Sequence, residues 1–206
     1  MKLYTFPGAP SPMRVELMLR YKQVELDVEV VNIRAGDQMR EPFRSINPRC
    51  TVPALIAEDG SCLSEVIAIC HYLEDQFPDR PVFGANSLER AHIVNWMHRI
   101  FVEGFLAAAE ALRNGSPNMK DRAMPGPDNV PQIPELAERG LTRLRIFMHT
   151  LDTHLRGRNF LVGTKLSQAD IDAHVVVNFA AWVKLAPPAE CEALIQWKSR
   201  TDQLLA

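Results

Sequence analysis

The chain has 206 residues, 47% of them hydrophobic, which suffices for one large domain or two small ones with a real core. Its formal net charge of -2 and pI near 6.3 accompany Lys and Arg that are spread along the chain, which argues against nucleic acid or an anionic membrane as partner. No run of about 18 apolar residues suggests a membrane span. The opening "MKLYTFPGAP" reads as the start of a strand without a signal peptide, and four cysteines with no C-x-x-C or finger-like spacing to the six histidines point to a reducing cytoplasm and no structural metal.

"KLYTF" and "LDVEVVNI" are strand-like, with Val28 and Val30 alternating with Asp27 and Glu29 in the second. Between them "SPMRVELMLRYK" sets Met13, Leu17 and Tyr21 at helical spacing, so the three elements form a βαβ unit with parallel strands. A polar, partly helical connection through "REPFRSINP" leads to a third strand, "TVPALIAEDG". The turn "EDGS", a short strand "CL" and the helix "SEVIAICHYLEDQF" follow. From Ser87 onward only helices are expected. Ile93, Trp96, Met97, Ile100, Phe101 and Phe105 mark one stripe of a long helix, and Leu136, Leu144, Phe147, Leu151 and Leu155 mark a second. "SQADIDAHVVVNFAAWV" is apolar on most sides, as a helix inside a bundle would be, and a last helix runs from Pro188 to about Leu205. The chain therefore divides into an α/β domain over residues 1–79 and an all-α domain over 87–206, joined where "FPDRPVFGANS" clusters proline and glycine. The proline-rich stretch from Arg113 to Pro134 is long for a loop, and such loops are lids, binding loops or disordered segments.

Pro53 near the start of the third strand has no N–H for a sheet ladder, so either the strand lies at an edge or something other than a strand lies against that backbone. In "LSQADI", Ser167 and Asp170 have the spacing of a capping box, with Leu166 and Ile171 as its hydrophobic staple. Ser11 before Pro12 has the form of an N-cap followed by proline at the first helical position. Cys50 reads as a small buried hydrophobe, and His92 and His98, six residues apart, as interface or surface residues.

The order of these elements, together with "NP" at Asn47 and Pro48, "TVPAL" at Thr51 to Leu55, "EDG" at Glu58 to Gly60, Leu63, Glu65, Ala68 and Ile69 as L-x-E-x-x-A-I, and "LSQAD" at Leu166 to Asp170, resembles the cytosolic, bacterial-type glutathione S-transferases. The resemblance implies a thioredoxin-like N-terminal domain and a helical-bundle C-terminal domain. It implies glutathione as co-substrate, with no metal, and conjugation of the glutathione thiolate to a hydrophobic electrophile. A homodimer is implied as well. "PSPM" stands where a thioredoxin has its C-x-x-C, so dithiol exchange is not expected.

On this resemblance a cis bond before Pro53 leaves Val52 to pair with glutathione as an added strand. Glu65 meets the γ-glutamyl ammonium, and the helix start that it opens meets the carboxylate. Gln38 aligns with a contact to the glycine carboxylate. Ser11 is the candidate to stabilise the thiolate, with Tyr4 as fallback, although the serine of theta-like and zeta-like relatives falls on Ala9. Where the family carries a serine after the glutamate, this chain has Val66, whose N–H still donates. The second substrate is expected between the domains against Trp96, Met97, Ile100 and Phe101. Two rival readings are a non-catalytic binding or stress-response protein, and a glutathione-dependent isomerase or dehalogenase.

Overall fold

In the computed structural model, which describes residues 1–206, the chain forms two compact units. The first comprises Met1–Arg80 with Met124–Asn129, and the second Pro81–Ala123 with Val130–Ala206.

The first unit runs β1 (Lys2–Thr5), α1 (Pro10–Lys22), β2 (Asp27–Val30), α2 (Phe43–Ile46), β3 (Ala54–Ile56), β4 (Cys62–Leu63) and α3 (Val66–Gln76). The sheet order is β2-β1-β3-β4, with β1 parallel to β2 and β3 antiparallel to both β1 and β4. This is a thioredoxin-like arrangement, and its inner strands are apolar for that reason: Leu3, Tyr4, Ala54 and Leu55 are buried. Val15 and Met18 of α1 and Ile69 and Leu73 of α3 supply helical core. Tyr4, Val31, Phe43 and Ala54 form a separate cluster in which the Tyr4 and Phe43 rings lie 5.6 Å apart. At the edge, the alternation in β2 does not become burial: all four of its residues are exposed, because no further strand or helix covers them.

Lys22 ends α1 inside the protein. Its ammonium donates to Glu74 Oε2 at 2.7 Å, Asp79 O at 3.0 Å and Arg80 O at 3.3 Å, so all three hydrogens are used.

The second unit is helical: α4 (Ser87–Arg99), α5 (Leu106–Gly115), α6 (Pro134–Leu155), α7 (Gln168–Ala180) and α8 (Glu192–Leu204). The expected long helix does run on from Ser87 to Gly115, but its middle, Ile100–Phe105, is π-helical. The widened turn is closely packed. A Cβ on Gly104 would lie 2.6 Å from the Phe147 ring, and the Val102 carbonyl accepts a bond from Arg143 Nη2 at 2.5 Å. The last helix begins at Glu192 rather than Pro188, where the buried Asp152 of α6 accepts from the amides of Ala193 and Leu194.

α7 is buried along almost its whole length, and the Ser167–Asp170 capping box forms. Asp170 does more than cap. Its Oδ2 accepts from Ser167 N and Oγ, and its Oδ1 accepts from Leu161 N and from Trp197 Nε1, both at 2.9 Å.

The proline-rich loop is ordered. Gln132 Nε2 donates to the carbonyls of Arg113 and Ser116, Ile133 N donates to Asn114 Oδ1, and Arg113 Nη1 donates to Arg122 O. Its tip, Met124–Asn129, groups with the first unit, where a Cβ on Gly126 would lie 3.7 Å from Arg49 O.

Candidate functional site

The corner before β3 is built by one amide. Asn47, 2% exposed, accepts from Arg49 N at 3.1 Å through Oδ1 and donates to Thr51 O at 2.8 Å through Nδ2, while its own carbonyl accepts from Cys50 N. The chain turns through Cys50 at φ 54, and the Cys50 side chain packs inside. The Val52–Pro53 bond is cis, and β3 begins only at Ala54, opposite Tyr4. The Val52 amide thus precedes the ladder and has no partner in the protein, as Pro53 implied. The Glu41–Pro42 bond is also cis, a feature for which the sequence held no signal.

A second element of the site is the start of α3. Glu65 occupies the N-cap position in extended conformation, but its carboxylate does not turn back to cap. It is largely exposed and meets Arg49 Nε at 3.3 Å. The first intrahelical bond is Ile69 N to Glu65 O, so the amides of Val66, Ile67 and Ala68 have no helical acceptor. Three N–H groups at the positive end of a helix suit an anion. Val66 is apolar and has no hydroxyl, so what it can offer a ligand is its amide.

The third element is the start of α1, and here the structure corrects the capping alternative for Ser11. Ala9 is the N-cap and Pro10 takes the first helical position, which puts Ser11 one step inside the helix. Proline at the first helical position needs no N–H, so the chain enters the helix earlier than a cap at Ser11 would have it. Pro10 and Pro12 lack amide hydrogens and Met13 N bonds Ala9 O, which leaves Ser11 alone to offer both an amide and a hydroxyl at this helix start. The hydroxyl is half-buried and has no protein acceptor. Tyr4 is 7% exposed, in the cluster with Phe43. Gln38 lies in the short 3-10 turn Asp37–Met39, and its buried Oε1 has no partner.

The four apolar residues expected to hold a second substrate separate onto different faces. Met97 and Ile100 are each 1% exposed and belong to the helical core, which corrects their assignment: a stripe at helical spacing marks the face that packs. Trp96 is nearly buried and faces a groove of about 540 Å³ between α4 and α6, which Arg99, His149 and His154 also line. Phe101 points elsewhere. It stacks on Phe105 at 5.9 Å, Phe105 meets Phe179 at 5.6 Å, and Phe179 meets Trp182 edge-on at 5.4 Å. Phe101, Val102, Leu106 and Trp182 leave apolar surface exposed beside this row. Phe179 and Trp182 lacked any sequence signal beyond hydrophobicity, and Phe105 was marked only as a member of the helical stripe, whereas Asn47 was visible as part of a motif but not as the staple of the corner.

A thioredoxin-like unit with a cis-proline corner, followed by a helical unit with a capped central helix, has the architecture of the glutathione S-transferase fold. Residues 3–81 match the glutathione S-transferase N-terminal domain and residues 122–203 the glutathione S-transferase C-terminal domain. Glutathione S-transferase 2 of Saccharomyces cerevisiae is 31% identical over 206 residues, which span 98% of this chain and 86% of that protein. The solved structure of a glutathione S-transferase domain-containing protein from Marinobacter aquaeolei VT8 matches with a TM-score of 0.88 at 28% identity, covering 98% of this chain and 97% of the other. A maleylacetoacetate isomerase of Pseudomonas aeruginosa is 37% identical over 93 residues, 44% of each chain. The chain belongs to the glutathione S-transferase family and is an enzyme of that class.

Proposed function

We propose that the protein conjugates glutathione to a hydrophobic electrophile. The observation that carries this reading is the unpaired Val52 amide beside Pro53, an edge one residue long on which the cysteinyl backbone of glutathione can continue the sheet. Glu65 takes the γ-glutamyl ammonium, the amides that open α3 take the adjacent carboxylate, and the unpartnered Gln38 side chain is the candidate for the glycine end. Ser11 supplies an N–H and an O–H to the sulfur. A thiol with a pKa of about 8.5 is mostly protonated at neutral pH, and two donors at a helix start favour the thiolate.

Holding the nucleophile and the electrophile together supplies the rest of the rate. The aromatic row from Phe101 to Trp182 is the surface of the helical unit best suited to the apolar body of the electrophile. The same reading makes the protein a cytoplasmic homodimer with a role in detoxification.

The test is glutathione calorimetry followed by conjugation of a haloaromatic. Ser11→Ala should lower turnover at neutral pH and leave unfolding unchanged, because Ser11 does not cap the helix. Unchanged turnover would remove Ser11 from the chemistry. A second reading, cis–trans isomerisation of a maleyl-type substrate, draws on the likeness to the isomerase, and a glutathione-dependent isomerase assay on the same protein decides between the two.

A further inference from the structure

A widened turn inside a continuous helix is not pinned by the helix itself, because moving it one residue along exchanges an i→i+5 bond for an i→i+4 bond. What pins it comes from a neighbouring helix. Here that helix is α6, whose Gly140, Arg143 and Phe147 share one face by their spacing of three and four. Gly140 lets the helices approach, since a Cβ there would stand 2.6 Å from Ala107 O, and Phe147 faces Gly104 in the widened turn. Arg143, between them, is the polar member of this face. Its Nη2 donates to Val102 O in the turn at 2.5 Å, and its Nη1 donates to Glu110 Oε2 on α5 at 3.0 Å. One guanidinium thus spans the junction, from the π-helical segment to a point about two turns beyond it. Arg139 meets Glu110 as well, at Oε1 and 2.8 Å, on the α5 side of the junction.

We propose that Arg143 is a positioning residue for the second substrate: by holding Val102 O against Glu110 it fixes where the helix widens, and so holds Phe101 over Phe105 as one side of the electrophile surface. Phe101 and Phe105 both belong to the widened turn, their rings tilted by only 20° and 5.9 Å apart, and Phe105 continues the row to Phe179. Val102, whose carbonyl Arg143 holds, directly follows Phe101, so a shift of the turn by one residue turns the Phe101 ring relative to Phe105. This deepens the conjugation reading and rests on it. Arginine suits the task because its planar fork presents two donors at a fixed separation, whereas a lysine ammonium on a flexible stem has no such fork.

The experiment measures steady-state conjugation of chlorodinitrobenzene by wild type, Arg143→Ala, Arg143→Lys and Arg139→Ala, varying each substrate at saturating levels of the other, with circular dichroism to establish that each variant is folded. Arg143→Ala should raise KM for the haloaromatic about fivefold, the size of one lost aromatic contact, and leave KM for glutathione as in wild type. Arg139→Ala removes the same charge from Glu110 and should leave both constants unchanged. Arg143→Lys keeps the charge without the fork and should show a rise like that of Arg143→Ala, and it carries the comparison if Arg143→Ala does not fold; wild-type constants in Arg143→Lys would show that charge alone suffices and would overturn the bridging role. An unchanged haloaromatic KM in Arg143→Ala, an equal rise in Arg139→Ala, or a parallel rise in both KM values would each overturn the role of Arg143 while leaving the conjugation reading intact. A wild type that conjugates no haloaromatic would overturn that reading, and the role of Arg143 with it.

Discussion

Asp170 offers the sharpest test of how the helical unit is held. Its carboxylate is fully buried and accepts four bonds: two at Oδ2 from Ser167, and one each at Oδ1 from Leu161 N and Trp197 Nε1. Asp170→Asn preserves shape. Its oxygen can stay with Leu161 and Trp197, but its NH2 then faces the Ser167 amide, donor against donor, while the Ser167 hydroxyl can turn to accept. One buried N–H is left unsatisfied, about 1–3 kcal/mol, and bonds to a charge become neutral ones, so the expected loss is roughly 2–4 kcal/mol. Asp170→Ala strands all four donors and adds a void. Its cost should exceed about 5 kcal/mol, which reaches the whole stability of many domains. Urea unfolding followed by circular dichroism reads both losses. A double-mutant cycle with Trp197→Phe should then return a coupling of about 1 kcal/mol or more. An Asp170→Asn protein within about 0.5 kcal/mol of wild type, the scatter expected of surface substitutions, would refute the argument.

Lys22→Met should cost about 3–5 kcal/mol by leaving the Glu74 carboxylate buried without its ammonium, and the double variant Lys22→Met/Glu74→Leu should recover most of it in the same urea assay. His174 is held neutral: the Asn178 amide nitrogen can only donate to Nε2, and Nδ1–H donates to Thr201 Oγ1, which itself donates to Lys198 O. Burial lowers its pKa below the ordinary 6.5, opposed by Asp202. The unfolded chain thus takes up this proton first as pH falls, and stability should drop from about pH 6.5 downward; His174→Gln should flatten that slope, and parallel curves would dismiss the cause. Val66→Ser should tighten glutathione about tenfold in calorimetry by restoring a hydroxyl at the α3 start, and should cost about 1–2 kcal/mol of stability for the lost apolar burial.

Local chemistry was legible in the sequence wherever spacing alone decides it. The Ser167–Asp170 box follows from three residues of separation, and Pro53 marks the end of the ladder because it lacks a donor. What depends on distant partners was not legible. The second task of Asp170 needs Trp197, 27 positions away, and the corner at Val52 needs the buried Asn47 to close on Thr51. The stripe through Met97, Ile100 and Phe101 was visible, but hydrophobicity does not say which members pack inside and which face out. The start of α1 shifted because a proline at Pro10 enters a helix more readily than a serine caps one at Ser11.

The π-helical turn at Ile100–Phe105 acts as a phase adjuster in a continuous rod. Each residue of an α-helix advances its neighbours by about 100°, and one widened turn resets that count between the two halves. The buried face of α4 and the buried face of α5 can therefore be set independently within a single helix. Removing one residue from this segment would let the i→i+5 turn close to an ordinary one, with the two halves still nearly in phase. Removing a second would turn every side chain from Leu106 to Gly115 by about 100° relative to α4, taking Ala107, Ala108 and Ala111 out of the core. Alignments of this chain with a relative whose helix is regular here should accordingly require a one-residue gap, in a stretch that has no loop to absorb it.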